Sequence, residues 1–403
     1  MKDVEKIVDS QISEVRSKGL GNENIDPRGK FHLDSSKISF HKERVDAWMR
    51  GERVAPITMD MAITQKCTYG CTFCYADLQK YPSAPAPWEV YENFLDDCIK
   101  IGHKPGEGVK AISLVSDGES TLSPHFSKFI LKGKKNGINL ACGTNGLALK
   151  KEELPELVNA LTYLRFNFDA ADSNAYTEIM GTTKKSYERV IKNIEDCVRL
   201  KNEQDSNITL GLQMVLLPEY ADQVIPLALF GKEIGVDYTV IKHCSDDEKG
   251  SLGIDYQWYK GDLATRLLKT AESLSTDKYS VQAKWSKIRT GRDRVYSRCY
   301  GPPLFLQMSG SGIVAPCGSF FNLEYSKYHI GDIKKQRFKD IWASDRYWEV
   351  MNHLRSKKFD AKTDCASLCV QDKTNEILYK LVEKGESLQD ISGKKTPMHM
   401  NFI

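Results

Sequence analysis

The chain has 403 residues, 41% hydrophobic and 28% charged, with 57 basic against 54 acidic side chains and a formal net charge of +3. That length exceeds one compact core and asks for at least two domains. The near balance of charge gives no reason for a nucleic acid or an anionic membrane surface as partner, and no run of about 18 apolar residues is present to span a bilayer. The first residues, MKDVEKIVDSQISEVRSKGL, are charged throughout and lack an apolar signal-peptide core, so a cytoplasmic location is expected. In that reducing compartment eleven cysteines point to metal ligation, catalysis or core packing rather than to disulfides.

Residues 1–53 read as an N-terminal extension. Its "SSKISFHKERVDAWMRGE" stretch is suited to closing one end of a larger domain, and nothing in it reads as a peptide-recognition domain. From there to about residue 280, short β-rich runs alternate with helical patterns. The strands are expected in "PITMDMAI" (56–63), "VKAISLVS" (109–116), "INLACGTN" (138–145), "TYLRFNFD" (162–169), "NITLGLQMVLL" (207–217) and "DYTVIKHC" (237–244). Between them, "PWEVYENFLDDCIKIG" and "SYERVIKNIEDCVRLKNE" carry the period of amphipathic helices, which makes Cys98 and Cys197 core residues. Strand–helix alternation implies a parallel sheet with right-handed crossovers, either an open doubly wound sheet or an incomplete barrel. Both place the active site at the C-terminal ends of the strands.

The chemistry-bearing residues stand at those ends. After the first strand comes "TQKCTYGCTFCYADLQ", with Cys67, Cys71 and Cys74 in eight residues. A structural zinc site wants four protein ligands. Three thiolates leave one metal position open, which is useful only where something else must bind. After the second strand comes "SDGES", after the third "GTNG", and the fourth ends in Asn167 and Asp169.

The three-cysteine pattern, with Phe73 directly before Cys74, resembles that of the radical S-adenosylmethionine (SAM) superfamily. The resemblance covers about residues 54–275 and implies an α/β fold, an incomplete (β/α)6 TIM-like barrel. It implies that Cys67, Cys71 and Cys74 hold a [4Fe–4S] cluster whose fourth iron is chelated by SAM. One electron then splits SAM to give a 5′-deoxyadenosyl radical that abstracts a substrate hydrogen. In "SDGES", Gly118 and Glu119 fit the family's glycine-glutamate pair, with Glu119 receiving the SAM ammonium; Asp117 stands where the family has glycine. Thr144 and Asn145 fall near SAM, and Asn167 and Asp169 fit its ribose contacts.

Residues 281–390 carry a second set of thiols, Cys299 and Cys317 in "CYGPPLFLQMSGSGIVAPC", then Cys365 and Cys369 in "CASLC". This region is similar to the SPASM extension, or its shortened form, twitch. The resemblance implies a β-hairpin at the Gly312 turn, a helix after "GDI", and one auxiliary [4Fe–4S] cluster on the four cysteines; zinc is the rival occupant. Residues 391–403 read as a frayed tail, with a docked tail as the alternative.

The expected function is oxidation of a small polar metabolite such as a sugar, aminocyclitol or nucleotide-linked sugar, with flavodoxin or ferredoxin as one-electron donor. The alternatives are a redox-neutral epimerase with Cys244, at the end of the sixth strand, as hydrogen donor, and a maturase of a ribosomally made peptide. An iron–sulfur electron carrier is the non-enzyme alternative. Lys242 and His243 beside Cys244 are groups that lower a thiol pKa where they face it.

Overall fold

The structure, a computed structural model, describes residues 2–22, 26–27, 35–79, 83–290, 293–367 and 369–403. Seven parallel strands succeed one another: β1 (Thr58–Met61), β2 (Ala111–Leu114), β3 (Asn139–Thr144), β4 (Leu161–Asn167), β5 (Thr209–Leu216), β6 (Tyr238–His243) and β7 (Ser280–Ala283). The first six lie within or against the runs expected from sequence. β7 was not anticipated, because four residues of alternating Ser, Val, Gln and Ala are a weak signal on their own. The domain boundary expected at residue 280 falls inside it, and β7 pairs with β6 from Tyr238–Ser280 to Ile241–Ala283.

Three further strands, β8 (Phe305–Met308), β9 (Ile313–Ala315) and β10 (Gly331–Asp332), extend the same sheet. Its order among the described residues is β10-β9-β8-β1-β2-β3-β4-β5-β6-β7. The sheet is open, an incomplete barrel whose free side begins at β7. The later region is joined to the core through β8, which runs parallel to β1 with Asp60 opposite Gln307.

Alternation along the strands decides what faces where. Met59, Ile112, Leu140, Leu164 and Leu212 point outward and are fully buried beneath the helices. Their neighbours Asp60, Ser113, Tyr163, Arg165 and Gln213 point inward and line a cavity of about 400 Å³. One helix of that outer layer, Lys184–Glu203, buries Val190, Ile194 and Cys197, and Thr183 caps it by accepting a hydrogen bond from the Ser186 amide at 3.2 Å. The helix Trp88–Cys98 likewise buries Cys98.

The floor of the barrel, at the N-terminal ends of the strands, is closed by both extensions. His41 reaches the Met400 carbonyl at 3.2 Å, and Lys37 donates to the His399 carbonyl at 3.2 Å. Thr58 donates to the Asn401 carbonyl at 2.6 Å and accepts from the Ile403 amide at 3.1 Å. The Phe402 ring packs 5.0 Å from that of Tyr163 and against the small side chains Ala111 and Ala141. The tail is therefore docked rather than frayed, but at the opposite end of the strands from the cysteine loop. Phe402 finds a small-residue floor, and Ile403 packs into the apolar cluster of Ile38, Ile57, Leu304 and Phe305.

Candidate active site

The loop holding Cys67, Cys71 and Cys74 hangs from the C-terminal end of β1 and is pinned by backbone contacts. Gly70 and Thr72 donate amide hydrogen bonds to the carbonyls of Gly181 (3.3 Å) and Ile179 (3.0 Å), at the end of the helix Ser173–Met180. A Cβ on Gly181, whose φ is +55°, would lie 2.2 Å from the Gly70 carbonyl oxygen, so a side chain here would push the loop away. The Cys74 amide closes a turn on the Cys71 carbonyl at 3.1 Å. Cys67 is exposed, and Cys71 and Cys74 are half-buried.

Glu119 is buried beside this loop at the end of β2. Its carboxylate accepts from the hydroxyls of Thr144 and Thr121 and from the Asn145 amide, each at 2.7 Å. The Glu119 amide is held by the Lys66 carbonyl at 2.8 Å. Burial pushes the Glu119 carboxyl above its ordinary pKa, against the pull of those donors. Gly118 has φ +81°, and a Cβ there would meet the Thr64 carbonyl at 2.3 Å. The Asn145 side-chain amide lies 3.9 Å from the Cys67 sulfur. The structure thus brings Cys67, Gly118, Glu119, Thr144 and Asn145 together.

Asp117 has a structural task of its own. Its buried carboxylate accepts from Ser309 Oγ at 2.7 Å, the Gly310 amide at 2.8 Å and Gln65 Nε2 at 2.7 Å. The residue that departs from the family's glycine bolts the turn after β8 onto the base of the cysteine loop. No sequence signal predicted this, because Asp117 lies far along the chain from its partners.

At the next strand ends, Asn167 accepts from Gln213 Nε2 at 2.9 Å. Asp169 accepts from the Val215 amide through one oxygen, while its other carboxylate oxygen is buried with no hydrogen-bond partner. Burial raises the Asp169 carboxyl from 3.8 to about 7. An orphaned buried oxygen near Cys71 is what a site missing a polar ligand looks like.

Cys244 is fully buried, with its sulfur 3.3 Å from the Ser245 carbonyl and 3.9 Å from that of Phe73. Burial pushes its thiol up to about 12; Lys242 pulls the other way, and desolvation wins. His243 is buried too, held low at about 4 by desolvation, and so adds no positive charge near neutrality. Desolvation therefore opposes activation of this thiol by its neighbours. The cavity wall at this level includes Lys242 and Ser245 but not Cys244.

Cys299, Cys317 and the pair Cys365 and Cys369 come from three segments. Asn375, on the helix Asp372–Lys384, lies 3.6 Å through Nδ2 from the sulfurs of both Cys299 and Cys369. Its Oδ1 accepts from the amides of Tyr300 (2.7 Å) and Gly301 (2.8 Å). Arg294 is buried against the same group and donates to the carbonyls of Ala361 and Ala366. Burial pushes the thiols of Cys299, Cys317 and Cys365 up, and neighbouring cysteines add to it. Four gathered thiols in so dry a place become thiolates only with a cationic group among them. Among the described residues no three His, Cys, Asp or Glu side chains close on a single ion. A four-iron cube takes each thiolate at a separate corner and does not ask for that convergence, so both sets fit it. Asn375 and Arg294 had no motif to announce them.

The comparisons agree with this geometry. Residues 61–229 match the radical SAM superfamily profile, and residues 299–370 match SPASM, an iron–sulfur cluster-binding domain. The chain is 22% identical over 338 residues to the tungsten-containing aldehyde ferredoxin oxidoreductase cofactor-modifying protein of Pyrococcus furiosus, covering 79% of this chain and 90% of that one. It is 22% identical to an AdoMet-dependent heme synthase of Methanosarcina barkeri, over 75% of this chain and 85% of that one. Among solved structures, SuiB of Streptococcus suis bound to S-adenosylmethionine shares the fold with a TM-score of 0.59 at 16% identity, over 78% of this chain and 71% of that one. AnSMEcpe with bound AdoMet does so with a TM-score of 0.53 at 15% identity, over 78% and 90%. The chain is a member of the radical SAM superfamily with a C-terminal SPASM iron–sulfur domain, and its cofactors are S-adenosylmethionine and [4Fe–4S] clusters.

Proposed function

We propose that this enzyme oxidises a small polar metabolite, such as a sugar, aminocyclitol or nucleotide-linked sugar, by two electrons. The observation that carries the reading is a shared cavity. The interior space of about 400 Å³ is lined by Tyr75, adjoining Cys74, and also by Cys317 of the second set. Tyr75 and Ser319 join the two regions through their hydroxyls at 2.9 Å. Its volume suits a small molecule, and polar side chains such as Asp60, Ser113, Gln213 and Gln307 stand among its apolar walls.

Cys67, Cys71 and Cys74 are the residues to hold the SAM-binding cluster, and Cys299, Cys317, Cys365 and Cys369 the auxiliary one. When bound, these groups supply a 5′-deoxyadenosyl radical for hydrogen abstraction and an acceptor for the substrate's second electron. Around them Glu119, Thr144 and Asn145 offer a preformed polar ring for the SAM amino-acid end, Asn167 and Asp169 face its ribose, and Phe73 packs beside the loop. The docked tail keeps water from entering through the floor. The exposed position of Cys67 gives a flavodoxin or ferredoxin a short approach to the first cluster. A cytoplasmic setting accords with that partner. Cys244 lies outside the cavity wall, which favours oxidation over epimerisation.

The test is mass analysis of products formed by the reconstituted, reduced protein in deuterated water, with sugars, aminocyclitols and nucleotide-linked sugars as trial substrates. A product two hydrogens lighter than its substrate is expected. A product of unchanged composition carrying solvent deuterium would establish the epimerase instead, and turnover confined to a peptide would establish the maturase.

A further inference from the structure

The inner wall of the barrel is electrically lopsided. Arg165 on β4, Lys242 on β6, Lys284 just past β7 and Lys287 on the helix Trp285–Thr290 all line the cavity. No described residue accepts a hydrogen bond or forms an ion pair with any of these four side chains, and Arg165 Nε is buried without a partner. The other charged groups on the cavity are already engaged. Asp117 is bonded to Ser309 and Gly310, and Asp372 accepts from Tyr296 at 2.7 Å. Lys373 pairs with Glu376 at 2.8 Å, and Lys37 donates to the His399 carbonyl. Asp60 lies across the lumen on β1, while Asp372 and Asp169 act from a distance on Lys287 and Lys242, so four cations outnumber the carboxylates near them.

This arrangement costs stability in the empty protein. Burial and the other three cations hold Lys284 well below its ordinary pKa, and Lys242 is brought down to about 8 by burial first and then by Arg165 and Lys287. Space is kept open around the group. Gly143 and Gly211 stand on either side of Arg165 in the strand register, and a Cβ at Gly143 would come within 3.3 Å of its guanidinium. A cluster of unpaired cations around open space is a binding site for oxyanions, and a guanidinium offers a fixed two-pronged fork for them.

We propose that the β4–β7 side of the lumen is an anion subsite, and that the substrate carries a phosphate or carboxylate group held by Arg165, Lys242, Lys284 and Lys287. This rests on the reading of the cavity as the substrate chamber and narrows the substrate to an acidic metabolite. The asymmetry also orients it, with the anionic group against β4–β7 and the neutral part towards Asp60, Ser113 and Gln307.

Calorimetric titration of the cluster-loaded, SAM-saturated protein with sodium pyrophosphate and, separately, with citrate tests the subsite and distinguishes phosphate from carboxylate. Saturable binding of at least one probe is expected, weakened about 10–100-fold in Arg165→Gln and in the double variant Lys284→Gln/Lys287→Gln. The double variant should also melt at a higher temperature than the wild type, since it removes unpaired like charges; this shows that it is folded. Binding of equal strength in wild type and variants, or no binding of either probe, would overturn the subsite. Binding that vanishes on saturation with SAM would assign the cations to the SAM carboxylate and overturn it equally. Release of 5′-deoxyadenosine by the same wild-type preparation is scored separately. Its absence beside intact probe binding would defeat the oxidase reading and leave the subsite standing.

Discussion

Cys67, Cys71 and Cys74 sit within one eight-residue loop, partly open to solvent and fastened by backbone hydrogen bonds. Cys299, Cys317, Cys365 and Cys369 are drawn from three segments, with the Asn375 side chain against Cys299 and Cys369. The difference follows from what each must admit. A loop of three thiols over a barrel mouth leaves one side free for a cofactor, with Glu119 and the orphaned Asp169 oxygen waiting there. Four thiols backed by Asn375 and Arg294 offer one ligand to each corner of a cube, which suits a group that exchanges only electrons. Local sequence suffices for the first kind of site, whereas the second exists only once the C-terminal region has folded.

The strongest way to break this contrast is to remove the loop thiols. The triple variant Cys67→Ala/Cys71→Ala/Cys74→Ala should release no 5′-deoxyadenosine and should retain about four of about eight irons, read by iron analysis after anaerobic reconstitution. Complete loss of iron would mean that the two sites do not load independently.

Next is Asn375→Ala, which acts on the closed site alone. It leaves the Tyr300 and Gly301 amides buried without an acceptor, a cost of about 1–3 kcal/mol each. It also strips the polar contact from two ligating sulfurs, and loss of such outer contacts weakens metal sites about 10–100-fold. The variant should lose auxiliary iron while still cleaving SAM. Product formation undiminished at half the iron content would remove the auxiliary cluster from the reaction.

Asp117→Ala tests whether the two regions are mechanically joined. Loss of three donors to a buried carboxylate should destabilise the protein by about 1.5–3 kcal/mol, seen as a lower melting temperature. Asp117→Asn should recover part of it. An unchanged melting temperature would show that the β8 turn is held without this bolt.

The pH dependence of the SAM-free protein sharpens the picture of the open site. The Asp169 carboxyl is raised from 3.8 to about 7 in the folded chain. Between those values the folded protein keeps a proton that the unfolded chain releases, so this group lowers stability as pH rises and its full cost is present above about 7. Asp169→Asn should lack that fall: its melting temperature should gain on the wild type from about pH 4 to about pH 7 and then run parallel. A constant difference across that range would mean that Asp169 is not buried as a charge in waiting.

The smallest effect is expected from Cys244→Ala. A small buried thiol lost from the core costs about 1 kcal/mol, and product formation should continue. Abolished turnover in a variant that melts normally would restore the hydrogen-donor role.

Much of this was legible in one dimension because it is local. The three-cysteine loop, the Gly118–Glu119 pair and six strand–helix units are contiguous stretches whose spacing carries their meaning, and Cys98 and Cys197 are fixed as core by helical period alone. The tertiary structure decided what depends on distant partners. Asp117 acquires its task from Ser309 and Gly310, Asn375 from two sulfurs, and the tail from a floor built by β1, β3 and β5. At Cys244 burial outweighs a neighbouring lysine, and no sequence pattern reports depth. The four cations of the lumen are scattered over more than a hundred residues, with nothing in their spacing to relate them. Only the curling of the open sheet turns alternate residues of separate strands into one charged wall, because alternation fixes which face a side chain takes and the fold alone fixes what else shares it.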